Sequence, residues 1–423
     1  MPTAERAASR RKPSPKIANQ WLRQILSLLY RRRSLSRIEI VETTGLNAAS
    51  ASHALRYLLD CGLLLRTADR CGLTGRHREA FTLNAEAGYI VALDLEGDKL
   101  RFGLTNLLGD IRCRWEECLE YRQPFAPERV VEGIGRVTRD LDPTQLGRVL
   151  AVGVSYPGLL DAEGRLSAVN LGWTKVPLLA ALRQAFPWPA FLERDKETCI
   201  HAENWLGAAQ DCRNALFLIA EGGIGMGILE GGKHVLGARG FSGEIGHCKF
   251  IPGAADLCNC GQKGCLEAIA ASPNIVRQYA ERTGAASAEL RFADVLERAR
   301  RGDAIALAVF ERAGRAIGSA LSVAISLLDP EIVILGGDLI LAEDIMLPII
   351  WDQIRLLTRP RSLEVVQIVV SRLGLDIRLK GAASLAFRNM LEVPELVQRL
   401  CAPAREATPT PVRRPRPRAT KER

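Results

Sequence analysis

The sequence predicts a mixed α/β protein with a winged helix-turn-helix at its front and a loop built to hold a metal. Three observations carry that class. Three short helical patterns and a pair of alternating strands fill the first 86 residues. From residue 87 onward, apolar strand patterns alternate with helical ones. One glycine-rich stretch, "HCKFIPGAADLCNCGQKGCLEA" (His247 to Ala268), gathers four of the chain's 11 cysteines.

At 423 residues the chain has room for about three domains. No run of roughly 18 uncharged apolar residues occurs, so no membrane span is expected. The basic start "MPTAERAASRRKPSPK" has no apolar stretch behind it and does not read as a signal peptide. These features predict a cytoplasmic protein with reduced cysteines and no membrane partner. Clustered thiols there are more often metal ligands than disulfides. The net charge of +9 is uneven. Residues 1–90 hold 15 Lys and Arg against 7 Asp and Glu, and residues 401–423 hold 7 against 2, which leaves the middle mildly acidic. A basic front on an acidic body predicts that the front alone meets a polyanion.

Taken in order, residues 1–15 are polar and basic and are expected to be disordered. Residues 16–86 form the predicted winged helix-turn-helix. In "NQWLRQILSLLYRR", Trp21, Leu22, Ile25, Leu28 and Leu29 recur at helical spacing. "SRIEIVETT" fits a second helix with Ser36 as N-cap, and Gly45 breaks the chain after it. Asn47 caps a third helix, "AASASHALRYLLD". Alternating apolar residues around turn signals in 61–84 then read as a two-stranded wing.

Such a unit places its third helix in the major groove of double-stranded DNA. That helix offers Ser50, Ser52, His53 and Arg56, with Asn47 at its start. These are short hydrogen-bonding groups and one guanidinium that suits guanine. Arg31, Arg32 and Arg33, and Arg76 and Arg78 in the wing, are candidates to neutralise phosphates.

Behind the wing, "YIVALDL", "KLRFGLTN" and "GDIRCRWEE" read as a meander of strands. "VLAVGVSYPG" is a buried strand, and "ALFLIAEGGIGMGILEGG" is a strand, a glycine turn and a strand. Helical patterns occupy 262–284, 291–328 and 341–357. "EIVILGGDLI" and "EVVQIVVSRLG" are later strands, and "KGAASLAFRNML" is a closing helix. The Pro/Arg-rich tail, 399–423, is expected to be disordered.

In the cysteine loop the spacing is His247, ten residues, Cys258, one residue, Cys260, four residues, Cys265. One imidazole and three thiolates are a usual closed set for Zn2+, so the expected zinc is structural rather than catalytic. Gly261 and Gly264 let the backbone turn tightly enough for three sulfurs to converge. Cys248, beside His247, is left out of the set.

"GEIGHCKFIPGAADLCNCGQKGCLE" resembles the signature of the ROK family (repressors, open reading frames and sugar kinases), and the winged helix in front is similar to its repressor branch. The resemblance implies an actin-like (ribonuclease H-like) sugar-kinase fold of two lobes. Residues 87–200 with 376–398 would form one lobe, and 201–375 the other, with the zinc loop at 247–265. It also implies a sugar or sugar phosphate bound between the lobes. Glu244, His247 and Glu267 would face its hydroxyls, with Asn170 of "VNLGW" beside them. His247 would serve both metal and sugar. Glu267, two residues after a metal ligand, would be positioned by the loop.

The same resemblance shows what a kinase would need. "LERDKET" keeps Asp195 at the family's base position, but Arg194 replaces the first Asn of the box, and a neighbouring guanidinium weakens a base. The first phosphate loop reads "DLEGDK", Asp94 to Lys99, with Gly97 retained, Glu96 in place of a glycine and Asp98 in place of a hydroxyl. A carboxylate about 4 Å from one phosphate charge costs roughly 1–4 kcal/mol. The second loop keeps Gly222, Gly223 and Gly225 but lacks the usual threonine, and Gly336 and Gly337 of "LGGD" resemble the adenosine side. ATP is therefore not expected as a cofactor, and Asp195 is expected to be vestigial. The reading that follows is a sugar-responsive regulator, acting as a repressor of carbohydrate-metabolism genes. A homodimer or homotetramer would read an operator of two half-sites. An ATP-dependent hexose or N-acetylhexosamine kinase and a DNA-bound regulator with an empty cleft are the rivals.

Overall fold

A computed structural model of the chain describes residues 15–69, 78–96, 99–119, 125–168 and 171–401. It opens with α1 (Pro15–Arg32), β1 (Ser34–Ser36), α2 (Arg37–Thr44), α3 (Ala48–Asp60), β2 (Leu64–Asp69) and β3 (Arg78–Leu83). A capping box starts α2. The Ser36 hydroxyl accepts the Glu39 N–H at 3.3 Å, and the Glu39 carboxylate accepts the Ser36 N–H at 2.7 Å. Gly45, at φ 68°, ends it, and Asn47 Oδ1 accepts the Ser50 N–H at 2.8 Å to start α3. The strands pair antiparallel in the order β1-β3-β2, one strand more than the sequence predicts.

The first large sheet follows. β4 (Tyr89–Leu95), β5 (Lys99–Asn106) and β6 (Ile111–Cys118) form an antiparallel meander. After α4 (Glu128–Val137) and α5 (Pro143–Leu146), β7 (Val149–Tyr156) joins β4 in parallel. A small sheet of β8 (Leu159–Leu160), β9 (Leu166–Ala168) and β10 (Trp173–Val176) comes next, and then α6 (Leu178–Ala185). β11 (Ala190–Arg194) completes the order β11-β7-β4-β5-β6 and leads directly into α7 (Asp195–Leu206). Every residue of β4 and β7 is buried, as expected of strands covered on both faces.

The second sheet repeats the plan. β12 (Ala215–Ala220), β13 (Ile224–Glu230) and β14 (Lys233–His234) form the meander. The cysteine loop, α8 (Leu266–Ala270), α9 (Ser272–Thr283), α10 (Phe292–Arg300) and α11 (Ala304–Leu328) lead to the parallel strand β15 (Ile332–Gly337). α12 (Glu343–Leu357), β16 (Gln367–Val370), α13 (Ile377–Leu391) and α14 (Pro394–Leu400) end the described chain, and the order is β14-β13-β12-β15-β16. α13 packs on β4, β7 and α7, while α7 packs on β12 and β13, so these two helices lie between the sheets. Outer cores form where α4 and α6 cover the first sheet and α8 to α12 cover the second.

Several sequence expectations shift. The pattern at 262–284 is two helices, because Ala271 is extended and Pro273 stands in the first turn of the second. The pattern at 291–328 breaks at Gly302, at φ 85°. α7 runs through residue 200, where the division between lobes was expected. α14 reaches Leu400 and Cys401 is buried, so order extends past 399. The rest of the expected tail, and residues 1–14, lie outside the described residues. The core of the N-terminal unit is continuous with that of the body behind it. Tyr30 on α1 is fully buried, stacked on Phe387 of α13 (centroids 4.6 Å) and edge-on to Trp205 of α7 (5.5 Å). No helix among the described residues is long and apolar enough to cross a membrane.

Candidate functional site

The cysteine loop converges as its spacing predicts. The ligand atoms of His247, Cys258, Cys260 and Cys265 all lie within 4.8 Å of one another, so the four could hold a metal ion. His247 Nδ1 is 3.7 Å from Cys258 Sγ, and Cys260 Sγ is 3.7 Å from Cys265 Sγ. A tetrahedron with metal–sulfur bonds of about 2.3 Å has edges of about 3.8 Å, so these distances fit the donor set. Gly264 sits at φ 77°, where a Cβ would come 2.7 Å from the Ala254 carbonyl oxygen. Burial pushes the Cys258 thiol up to about 12, so a metal there must displace a proton. Cys248 is exposed and outside the set.

Glu267 follows Cys265 on α8 and is buried, but its carboxylate is engaged. Oε2 accepts the Ile224 N–H at 3.2 Å, and Oε1 lies 3.7 Å from Cys258 Sγ. Through that bond Glu267 ties the start of α8 to β13. A Cβ at Gly223 would sit 2.9 Å from Oε2.

Glu244 meets two cations from the other half. Arg194, at the end of β11, pairs with it through Nη2, and Lys196 Nζ reaches the same oxygen at 2.6 Å. Both cations are buried. Burial alone would raise the Glu244 pKa, but Lys196 and Arg194 hold it below the usual range. Glu197, behind them, is pushed up to about 7 by burial, an effect that Arg194 partly offsets. Asp195 is half-buried and accepts the Lys196 N–H at 2.8 Å. Arg194 thus reaches across to Glu244 through Nη2, while its buried Nε and Nη1 have no hydrogen-bond partner among the described residues. Asn170 lies outside the described residues.

The expected nucleotide loops hold an ion-pair network that the sequence did not reveal. Arg378, buried on α13, pairs with Glu96 after β4 and with Glu221 after β12, and lies 3.7 Å from Asp94. Arg101 adds a contact to Glu96 at 2.8 Å. Burial pushes Asp94 up to about 7, although Arg378 pulls it down. These groups stand at the carboxyl ends of β4 and β12, where α/β sheets place ligands. Carboxylates from both halves therefore converge on one guanidinium. The only sequence signal was an arginine on an otherwise apolar helical face. A Cβ at Gly336 would strike the Phe217 ring at 2.2 Å, and one at Gly337 would sit 2.5 Å from the Ala220 carbonyl oxygen, so both glycines serve packing. Gly222 is open, and a Cβ at Gly225 would be 3.3 Å from Lys196. Gly97 lies outside the described residues.

On α3, His53 and Arg56 are exposed, and Ser50 and Ser52 are half-buried. Asn47 is exposed but its side-chain oxygen caps the helix. Arg78 opens β3, and Arg76 lies outside the described residues. Arg31, Arg32 and Arg33 are not free for phosphates. Arg31 donates to the Asn204 carbonyl at 3.3 Å and to that of Gln210, Arg32 pairs with Asp211, and Arg33 donates to the Leu108 carbonyl. Their charge docks α1 on the body.

Comparisons with known proteins agree with this architecture. The N-acetylglucosamine repressor of Escherichia coli O157:H7 is 28% identical over 377 residues, covering 84% of this chain and 89% of its own. The crystal structure of a ROK family transcriptional regulator, a homologue of the E. coli MLC protein, has a TM-score of 0.73 at 25% identity and covers 90% of this chain and 99% of its own. A ROK family glucokinase from Streptomyces griseus, solved with glucose and AMPPNP, has a TM-score of 0.63 at 26% identity and covers 71% of this chain and 100% of its own. The ROK family model matches residues 90–389, and the chain belongs to the ROK family.

Proposed function

We propose that the chain is a cytoplasmic, sugar-responsive transcriptional repressor of carbohydrate-metabolism genes. One observation carries the reading. The glucokinase is matched along its whole length yet leaves 29% of this chain without a counterpart, while the regulator matches 90% of it. Residues 16–86 would act as a winged helix-turn-helix, with His53 and Arg56 of α3 reading bases, in a homodimer or homotetramer on two half-sites. Zinc on His247, Cys258, Cys260 and Cys265 would be structural, fixing the loop that carries Glu267. The network around Arg378 fills the ground where a triphosphate would need donors, which argues against ATP and phosphoryl transfer.

α7 supplies the coupling. In its first turn Lys196 pairs with Glu244, and its far end carries Trp205, which touches Tyr30 of α1. A helix of 12 residues spans about 18 Å. A sugar that displaces Arg194 or Lys196 from Glu244 would tilt α7 and so shift α1 and α3. A hundredfold change in operator affinity needs about 2.7 kcal/mol of such coupling. Replacing Trp205 with Ala should leave sugar and DNA affinities within a few-fold of wild type, while sugar no longer releases DNA. Titrations of operator with and without sugar check this, and release at the wild-type sugar concentration would exclude the route.

A second reading has one observation in its favour: Arg194 and Lys196 already occupy Glu244, as a regulator without a sugar ligand would allow. A thermal-shift panel of about fifty sugars and sugar phosphates, with and without Mg-ATP, separates the readings. The repressor reading expects a sugar to raise the melting temperature with no added effect of ATP. A shift that requires ATP and sugar together would point to a kinase, and no shift would point to the second reading.

A further inference from the structure

The solvent face of α11 changes character along its length. Glu311 and Arg315 pair at 2.7 Å in its middle, but beyond them Val323 and Leu327 stand exposed, one turn apart. α12 brings more apolar surface to the same end. A Cβ at Gly314 would sit 2.7 Å from Ile349 and one at Gly318 would sit 2.6 Å from Gln353, so the two helices run parallel and in step. Gln353 Nε2 also donates to the Ser319 hydroxyl at 3.1 Å. One turn further, Leu356 and Leu357 end α12 beside the last turns of α11. β15 and β16 then start side by side, Ile332 opposite Gln367, which brings Val365 to the end where Leu328 closes α11. Leu327, Leu356 and Val365 are 77%, 74% and 74% exposed. Neither the metal loop nor the network around Arg378 involves this face.

We infer that the shared end of α11 and α12 is the surface on which a second copy of this chain docks, across a two-fold axis. Two observations name the occupant. The exposed apolar side chains leave on the order of 500 Å² uncovered, the upper range for a monomer, and with a polar rim this approaches the roughly 800 Å² per partner that a stable dimer buries. The rim is the second observation. Asp329, Arg359, Arg361 and Glu364 stand beside those side chains in the chain, all exposed, and none has an ion-pair partner among the described residues. Two cations and two carboxylates balance. A copy turned by 180° presents both signs to both signs, whereas a partner of one sign, such as a nucleic acid or an acidic peptide, would repel half of the rim.

The face also lies at the end of the second sheet on which α1 docks. Glu331, two residues past Asp329, accepts the Arg213 and Asn214 N–H groups at 2.8 Å each. Arg213 is in turn two residues past Asp211, which pairs with Arg32 of α1. A two-fold axis through this face would set both copies of α3 at one end of the dimer, as an operator of two half-sites requires. That consequence rests on the repressor reading, but the interface itself does not.

The test measures the mass of the full, zinc-loaded chain by light scattering and sedimentation at micromolar concentration. Wild type should associate, and Leu327→Glu/Leu356→Glu should weaken that association by about a hundredfold or more. Because both positions face solvent, the variant should keep the wild-type melting temperature. Arg359→Glu/Arg361→Glu, which leaves a rim of one sign, should weaken association by about tenfold. A wild-type chain that is monomeric, or a folded apolar variant that associates as tightly as wild type, would overturn the proposal. Should the apolar variant fail to fold, the charge variant decides, and unchanged association in it would overturn the proposal as well. So would a monomer in which residues 319–329 and 353–366 are nonetheless protected from hydrogen exchange, since another part of the same chain would then cover the face. Neither sugar nor DNA is present, so failure here is distinct from failure of the repressor reading.

Discussion

Stripping metal from the cysteine loop should lower the melting temperature by roughly 8–16 °C. A ligand at a thousandfold excess over its dissociation constant contributes about 4 kcal/mol, and each kcal/mol moves a domain of this size by roughly 2–4 °C. The structural reason is that Cys258 and Cys265 are buried and gathered at metal-bonding distances, and that Cys265 leads directly into α8 and Glu267. Metal analysis of the purified chain should find one zinc per protomer, and Cys265→Ser should lose it. A strong chelator should reproduce the fall in melting temperature, and restored zinc should reverse it. A chain that carries no metal and melts at the same temperature with chelator would refute the zinc assignment.

Arg378→Met should be the most damaging substitution outside the hydrophobic cores, at about 3–5 kcal/mol, because it leaves buried carboxylates without their cation. Its pH dependence has a definite sign. Asp94 is raised from an unfolded value near 3.8 to about 7 in the fold. Between those values the folded state binds more protons than the unfolded one. The stability from that bound proton is fully present below about 3.8 and is lost as pH rises through about 7. Arg378 pulls the Asp94 value down. Removing it moves the folded value higher, so the variant's deficit against wild type should be larger at pH 8 than at pH 5. Urea titrations at both pH values measure it. Equal deficits at both would mean that Arg378 does not hold these carboxylates.

Much of this was legible because it is local. Ser36, Gly45 and Asn47 announce the helix ends around the turn, and those signals act within four residues. The metal set was readable because thiols and imidazole at short spacing have few other uses. What was hidden lies in long-range pairings. Glu244 meets Arg194 and Lys196 some fifty residues away, and Arg378 meets Glu96 and Glu221 only once both sheets are built. Arg31, Arg32 and Arg33 read as phosphate ligands because charge alone does not tell a DNA face from a docking face. β11 escaped notice because "AFLER" is five residues ending in two charges, yet it carries Arg194 to the site. The two sheets share a strand order without sharing a sequence pattern, since the edge strand β6 alternates in burial and its counterpart β14 is two residues long.

The most direct test of the account is a selection of bound fragments from random double-stranded DNA by the full-length, zinc-loaded protein. Fluorescence anisotropy on the enriched duplex would follow, for wild type and for a His53→Ala/Arg56→Ala variant. The account predicts a motif of two half-sites, specific binding at least a thousandfold tighter than to unrelated DNA, and loss of that margin in the variant. Enrichment of no motif, or an enriched motif that the variant binds as tightly as wild type, would contradict a repressor that reads DNA through α3.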